Sequence, residues 1–106
     1  MTVYDVLRVV DATKENDFDD MTKIGWINEV EGMILCETGS GSGAEFVPHR
    51  SGSDKVMLSE PYSRMYFLYI YAMMAISGNE YEVYLQFMSE FEKVFSQYAK
   101  FLIRNR

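Results

Sequence analysis

The chain has one histidine and one cysteine, and both stand where catalysis is hard to support. With His49 alone, a multi-histidine metal centre is excluded. Pro48 and Arg50 flank it in a Gly- and Ser-rich segment, a poor mount for a general base that must be held rigidly. Cys36 follows Ile34 and Leu35 near the end of a predicted helix, and reads as a small buried residue rather than a nucleophile. The run Gly39-Ser40-Gly41-Ser42-Gly43 has the composition of a phosphate cradle. However, no Lys-Ser/Thr pair follows, the spacing fails GxGxxG, and Pro48 stands where a helix should open. A linker accounts for it better. Asp17, Asp19 and Asp20 do not form a calcium loop, because counting from Asp17 puts Thr22 and Asn28 where Gly and Glu are required. They read as helix-capping carboxylates. No catalytic, cofactor-binding or metal-binding residue is expected, and the chain reads as a non-enzyme.

The elements that would carry any site are helical. Thr2 and Asp5 have capping-box spacing ahead of Val3, Val6, Leu7 and Val10, which predicts a helix over about 2–13. Met21, Ile24, Ile27, Val30 and Ile34 predict a second over about 19–37, with Trp26 on its flank. Its Gly32 is expected to mark a close neighbour. From 38 to 54 the composition turns to Gly and Ser without apolar periodicity, predicting a flexible loop. A short β-hairpin pairing 45–47 with 55–58 is the alternative. Glu60-Pro61 is expected to open a third helix that is apolar nearly all round, including Tyr62, Tyr66 and Tyr69. Gly78 is expected to end it as the left-handed residue, with Asn79 and Glu82 capping a fourth helix over about 80–104. In that helix Tyr84, Met88, Phe91, Phe95, Tyr98 and Leu102 step by four and three. The two-residue connection folds it back along the third helix as a hairpin.

Length and composition agree with one all-α domain, 1–106, of four helices and a flexible loop or hairpin at about 38–58. Apolar residues make up 48% of the 106 and aromatics 15%, ample for a core. Sixteen acids against ten bases give a net charge of −6, which argues against a general nucleic-acid surface. Residues 1–60 hold 12 acids and 5 bases, while the charges after Glu92 are all basic: Lys93, Lys100, Arg104 and Arg106. Cations there suit the negative end of the last helix. One cysteine rules out an internal disulfide framework, and a reducing compartment fits best. No signal-peptide pattern opens the chain, and the apolar run 65–76 is too short for a bilayer, which takes about 20 residues. The third and fourth helices carry more apolar surface than four elements of this size easily cover, so self-association is expected.

One pattern extends through nearly the whole chain outside 38–54. Pro61-Tyr62, Tyr66, Tyr69, Ile76, Gly78-Asn79-Glu80 and Tyr84 precede an aromatic helix. Val10-Asp11, Lys14, Asn16, Phe18, the run Lys23 to Val30 and Ile34 precede them. This resembles the small head–tail connector (adaptor, or head-completion) proteins of tailed phages and prophages of Gram-positive bacteria. The chain departs from that pattern at Glu60, where Asp is frequent before Pro-Tyr. It also departs at Glu15, where proline is common, and at Leu85, where Asn often follows the last tyrosine.

The resemblance implies a structural virion subunit, assembled in the bacterial cytoplasm as a ring below the portal. Its partners would be copies of itself, portal and tail proteins, with DNA only as passing cargo and no membrane. Trp26, Pro61, Tyr62, Tyr66, Tyr69, Glu80, Tyr84, Phe91 and Tyr98 are the candidate core or interface residues. Two other readings remain: a cytosolic helical adaptor for a host or phage partner, and a small-molecule-binding bundle using the Tyr and Met face.

Overall fold

The computed structural model describes residues 1–38 and 48–105. Four helices account for most of them: α1 (Val3–Thr13), α2 (Asp20–Thr38), α3 (Arg64–Ser77) and α4 (Tyr81–Arg104). The class is all-α.

α1 begins where its sequence predicts. Thr2 accepts from the Asp5 backbone N–H through its hydroxyl, and Asp5 returns a bond to the Thr2 N–H, a complete capping box. Its apolar stripe, Val3, Val6, Leu7 and Val10, is buried in full. The remaining donors of the first turn find carbonyls elsewhere: Val3 N–H bonds Asp54 O and Tyr4 N–H bonds Gly52 O, both at 2.8 Å. A Cβ at position 52 would stand 3.1 Å from the Tyr4 ring, a tight contact that the ring would have to relieve by shifting.

At the start of α2, Asp19 Oδ1 accepts from Thr22 N–H at 2.8 Å, the N-terminal cap expected of that carboxylate. Ile24, Ile27, Val30 and Ile34 form the buried face. Where α1 meets α2, Lys23 is buried with its ammonium 2.7 Å from Asp11 and 3.4 Å from Asn16 Oδ1. The aliphatic stem thus joins the core while the charge is met by acceptors from the preceding turn.

α3 starts at Arg64 rather than at Pro61. Residues 59–63 instead form turns, with Tyr62 and Ser63 N–H both bonded to Ser59 O, and the Glu60-Pro61 bond is cis. The hairpin bend also differs in detail. Asn79 (φ 61°), not Gly78 (φ −94°), is the left-handed residue. Glu80 N–H reaches Ala75 O at 2.8 Å and Asn79 N–H reaches Ile76 O at 3.2 Å, a Schellman motif that satisfies the last carbonyls of α3. Asparagine tolerates that conformation, so the motif sits one residue later than the glycine suggests. Glu80 is the N-cap position of α4, and neither its side chain nor that of Asn79 caps the helix.

α4 runs antiparallel to α3, as its ring contacts show: Tyr62 meets Tyr98 and Phe101, Tyr69 meets Phe91, and Tyr71 meets Phe87. At about 36 Å, α4 nearly equals the 40 Å longest dimension of the molecule. The core cluster draws on all four helices and Leu58; of α4, Phe91 and Val94 are fully within it, and half-buried Met88, Phe95 and Tyr98 pack against it.

Candidate functional site

Two features stand out beyond the apolar core. The first is a polar cluster built around Glu31. Its position on α2 puts a carboxylate on the face that packs against α3, and it is only 3% exposed. One oxygen lies 2.6 Å from His49 Nε2. The other accepts from the Tyr66 hydroxyl at 2.6 Å and from Met57 N–H at 2.8 Å. Tyr66 in turn accepts from Leu58 N–H at 2.9 Å. Asn28, one turn before Glu31 on α2, bonds both the backbone N–H and the carbonyl of His49. On its other side His49 Nδ1 faces Asp54 at 3.6 Å.

The described part of the segment between α2 and α3 is therefore docked rather than loose. Residues 48–58 lie against α1, α2 and α3, and His49 is firmly held where the sequence predicted a poor mount. Composition around 39–43 hid this, because the anchoring partners, Asn28, Glu31 and Tyr66, are distant in sequence. Of the two arms of the expected hairpin, 45–47 lies outside the described residues, and Lys55 bridges to Thr2. The Gly-Ser run of 39–43 also lies outside them.

The electrostatics are those of a saturated cluster. Burial and the adjoining Glu31 carboxylate push the Tyr66 hydroxyl well above the usual tyrosine value, keeping it a donor. Tyr69, whose hydroxyl bonds Glu29 at 3.0 Å, is pushed up to about 12, by burial first and then by Glu29. Asp54 is held below the usual carboxylate range by the Arg50 and Ser51 N–H groups, then by His49. Each oxygen of Glu31 is engaged within the chain, and both ring nitrogens of His49 face carboxylates. The arrangement works as a clamp between α2, α3 and the segment that joins them.

The second feature is an apolar groove of about 760 Å³ between α2 and α4. Gly32, Met33 and Cys36 line one wall, and Met88, Phe91, Glu92, Phe95 and Ser96 the other. Cys36 is thus exposed in the groove, not buried. It falls one turn after Met33 on a face that none of the described helices covers.

The sequence-predicted residues divide between these features and the α3–α4 seam. Tyr66 belongs to the clamp, and Phe91 to both core and groove. Tyr62, Tyr69 and Tyr98 are half-buried in the seam. Trp26 is half-buried with its ring edge-on to Phe18 at 5.2 Å. Tyr84 lies outside the core cluster, its ring against Tyr81, while Pro61 and Glu80 are exposed in the two turns that bound α3. Sequence reading missed Asn28, Glu31 and Lys23 as buried or half-buried polar anchors. The only signal was a charged or amide residue beside apolar core positions on an amphipathic helix.

Among the described residues no group of three or more His, Cys, Asp or Glu is placed to hold a metal ion, and no helix is long and apolar enough to cross a membrane. Comparison with family models, with characterised proteins and with solved structures finds no match.

Proposed function

We infer that this chain is a structural subunit, a head–tail connector of a tailed phage or prophage that assembles as a ring below the portal. The observation that carries the reading is the incompleteness of α4. A 24-residue helix buries only two of its residues, while Leu85, Phe101 and Ile103 are exposed and an open apolar groove runs beside it. Such a surface suits a subunit completed by neighbours. The polar cluster supports the same reading, since its groups bond one another rather than facing an opening. An excess of acids suits a conduit along which DNA slides, because phosphate affinity is built from Lys and Arg. The sequence resemblance supplies the particular assembly.

The test is imaging and native mass spectrometry of the purified chain at high concentration, alone and with a portal protein from the same genome. Rings, or a stoichiometric complex with the portal, are expected. A monomer that ignores the portal overturns the reading. The groove favours one alternative, an adaptor that seats a partner helix. A fixed monomer or dimer in the presence of portal, together with one defined helical partner, is the outcome that selects it.

A further inference from the structure

We propose that the α2–α4 groove is the acceptor for the C-terminal end of α4 from a second copy of this chain, so that copies join head to tail. The inference rests on the subunit reading above and names the surfaces that pair.

The groove has an apolar floor, with Met33, Cys36, Met88 and Phe95 among its lining residues. Its charges are acidic. Glu92 lines it directly, and Glu29, whose carboxylate accepts from the Tyr69 hydroxyl, stands one turn before Met33 on α2. An occupant that matches must be apolar and flanked by cations. The far end of α4 has that chemistry: Ile103 is 62% exposed, Phe101 is 42% exposed with one side of its ring against Tyr62, and Lys100 and Arg104 flank them. A helix C-terminus also carries partial negative charge, which the cations offset.

Donor and acceptor are separate patches, since Ile103 lies seven residues, about 10 Å of helix, beyond Ser96 at the groove's end. The two patches of one subunit cannot meet within that subunit, because α4 carries both the donor and one wall of the acceptor. Each copy can give its tip to one neighbour and take a tip from another, which generates a ring or an open chain, whereas mutual exchange between two copies would close a twofold pair.

Cys36 supplies the test. Ile103→Cys in the full chain places a second thiol on the donor, to be oxidised gently and read on a non-reducing gel with peptide mapping. A ladder of multimers linked 36 to 103 is expected, and it should collapse when Cys36→Ser is added; a doubly linked dimer with nothing larger would overturn the head-to-tail arrangement. Oligomers that form without 36–103 links overturn the pairing while leaving the ring reading intact. Absence of any association at high concentration also overturns it, and the portal experiment then judges the ring reading separately. Charge reversal gives an independent arm. Lys100→Glu/Arg104→Glu and Glu92→Lys should each lose association alone and regain it when mixed. Failure of the mixture to associate counts against the pairing, whatever a single variant does.

Discussion

The Tyr66 hydroxyl donates to Glu31 across the α2–α3 interface at 2.6 Å, with both side chains withdrawn from solvent. Tyr66 also accepts from Leu58 N–H, so one hydroxyl links two helices and the segment between them. Removing that oxygen leaves a backbone donor and a carboxylate oxygen short of partners in a dry site. Tyr66→Phe should therefore cost about 1–3 kcal/mol. A lowered urea midpoint with unchanged slope is the expected result. An unchanged midpoint would show that the clamp contributes nothing net.

Alkaline pH should weaken the fold through the same residue and its neighbour. Tyr66 and Tyr69 are both raised in the folded chain, Tyr69 to about 12. The unfolded chain gives up these protons near the ordinary tyrosine value of about 10, so above that pH it binds fewer protons than the native state. Stability is then full below pH 10 and falls as pH rises towards 12. Denaturant midpoints across this range should decline less steeply in Tyr69→Phe than in the parent chain.

On the acid side the sign reverses. Asp11 is lowered by its hydrogen bond from Lys23, and Asp54 by the Arg50 and Ser51 N–H groups. Groups lowered in the native state stabilise it above their unfolded values, and that stabilisation is lost as pH falls through the folded ones. Asp54→Asn and Asp11→Asn should each flatten the loss of stability below about pH 4, where ordinary aspartates titrate. An acid limb as steep as the parent's in both variants would exclude these residues as its source.

The turn between α3 and α4 offers a backbone test. Asn79 holds φ 61°, a conformation that costs a Cβ-bearing residue about 1 kcal/mol and glycine nothing. Asn79→Gly should be neutral or mildly stabilising, and Asn79→Ala should lower the melting temperature. Equal effects from both would mean that the Asn79 side chain, rather than its backbone, matters.

How much was legible beforehand depends on where each residue's partners lie in sequence. The Thr2–Asp5 capping box and the Val3–Val6–Leu7–Val10 stripe are local, and both form as the spacing predicts. The α3–α4 pairing needed only a short turn and two apolar stripes, and the bend differs by one residue because Asn79 can take the left-handed position. The clamp was not legible. His49 and Tyr66 lie 18 and 35 positions from Glu31, and no local pattern links the three. Asn28, which fixes the His49 backbone, looks in sequence like any polar residue on a helix flank. Cys36 was misplaced for a related reason: its burial depended on whether α4 would cover that face of α2, a tertiary outcome the helix's own periodicity does not contain.

Phe91 and Ile103 mark the two ends of the remaining question, how firmly α4 is held. Phe91 is 3% exposed, touches Tyr69 and Phe95, and is one of two α4 residues in the core. Truncating such a side chain leaves a cavity, and Phe91→Ala should cost about 3–5 kcal/mol. Because Val94 is the other buried anchor, the same change should release α4 preferentially. Amide exchange in α4 should accelerate more than in α1 or α2. Ile103→Ala and Leu85→Ala remove exposed atoms and should move monomer stability by no more than about 0.5 kcal/mol. A large loss from Ile103→Ala in dilute solution would mean that the end of α4 packs within its own subunit, and is not free to serve a neighbour.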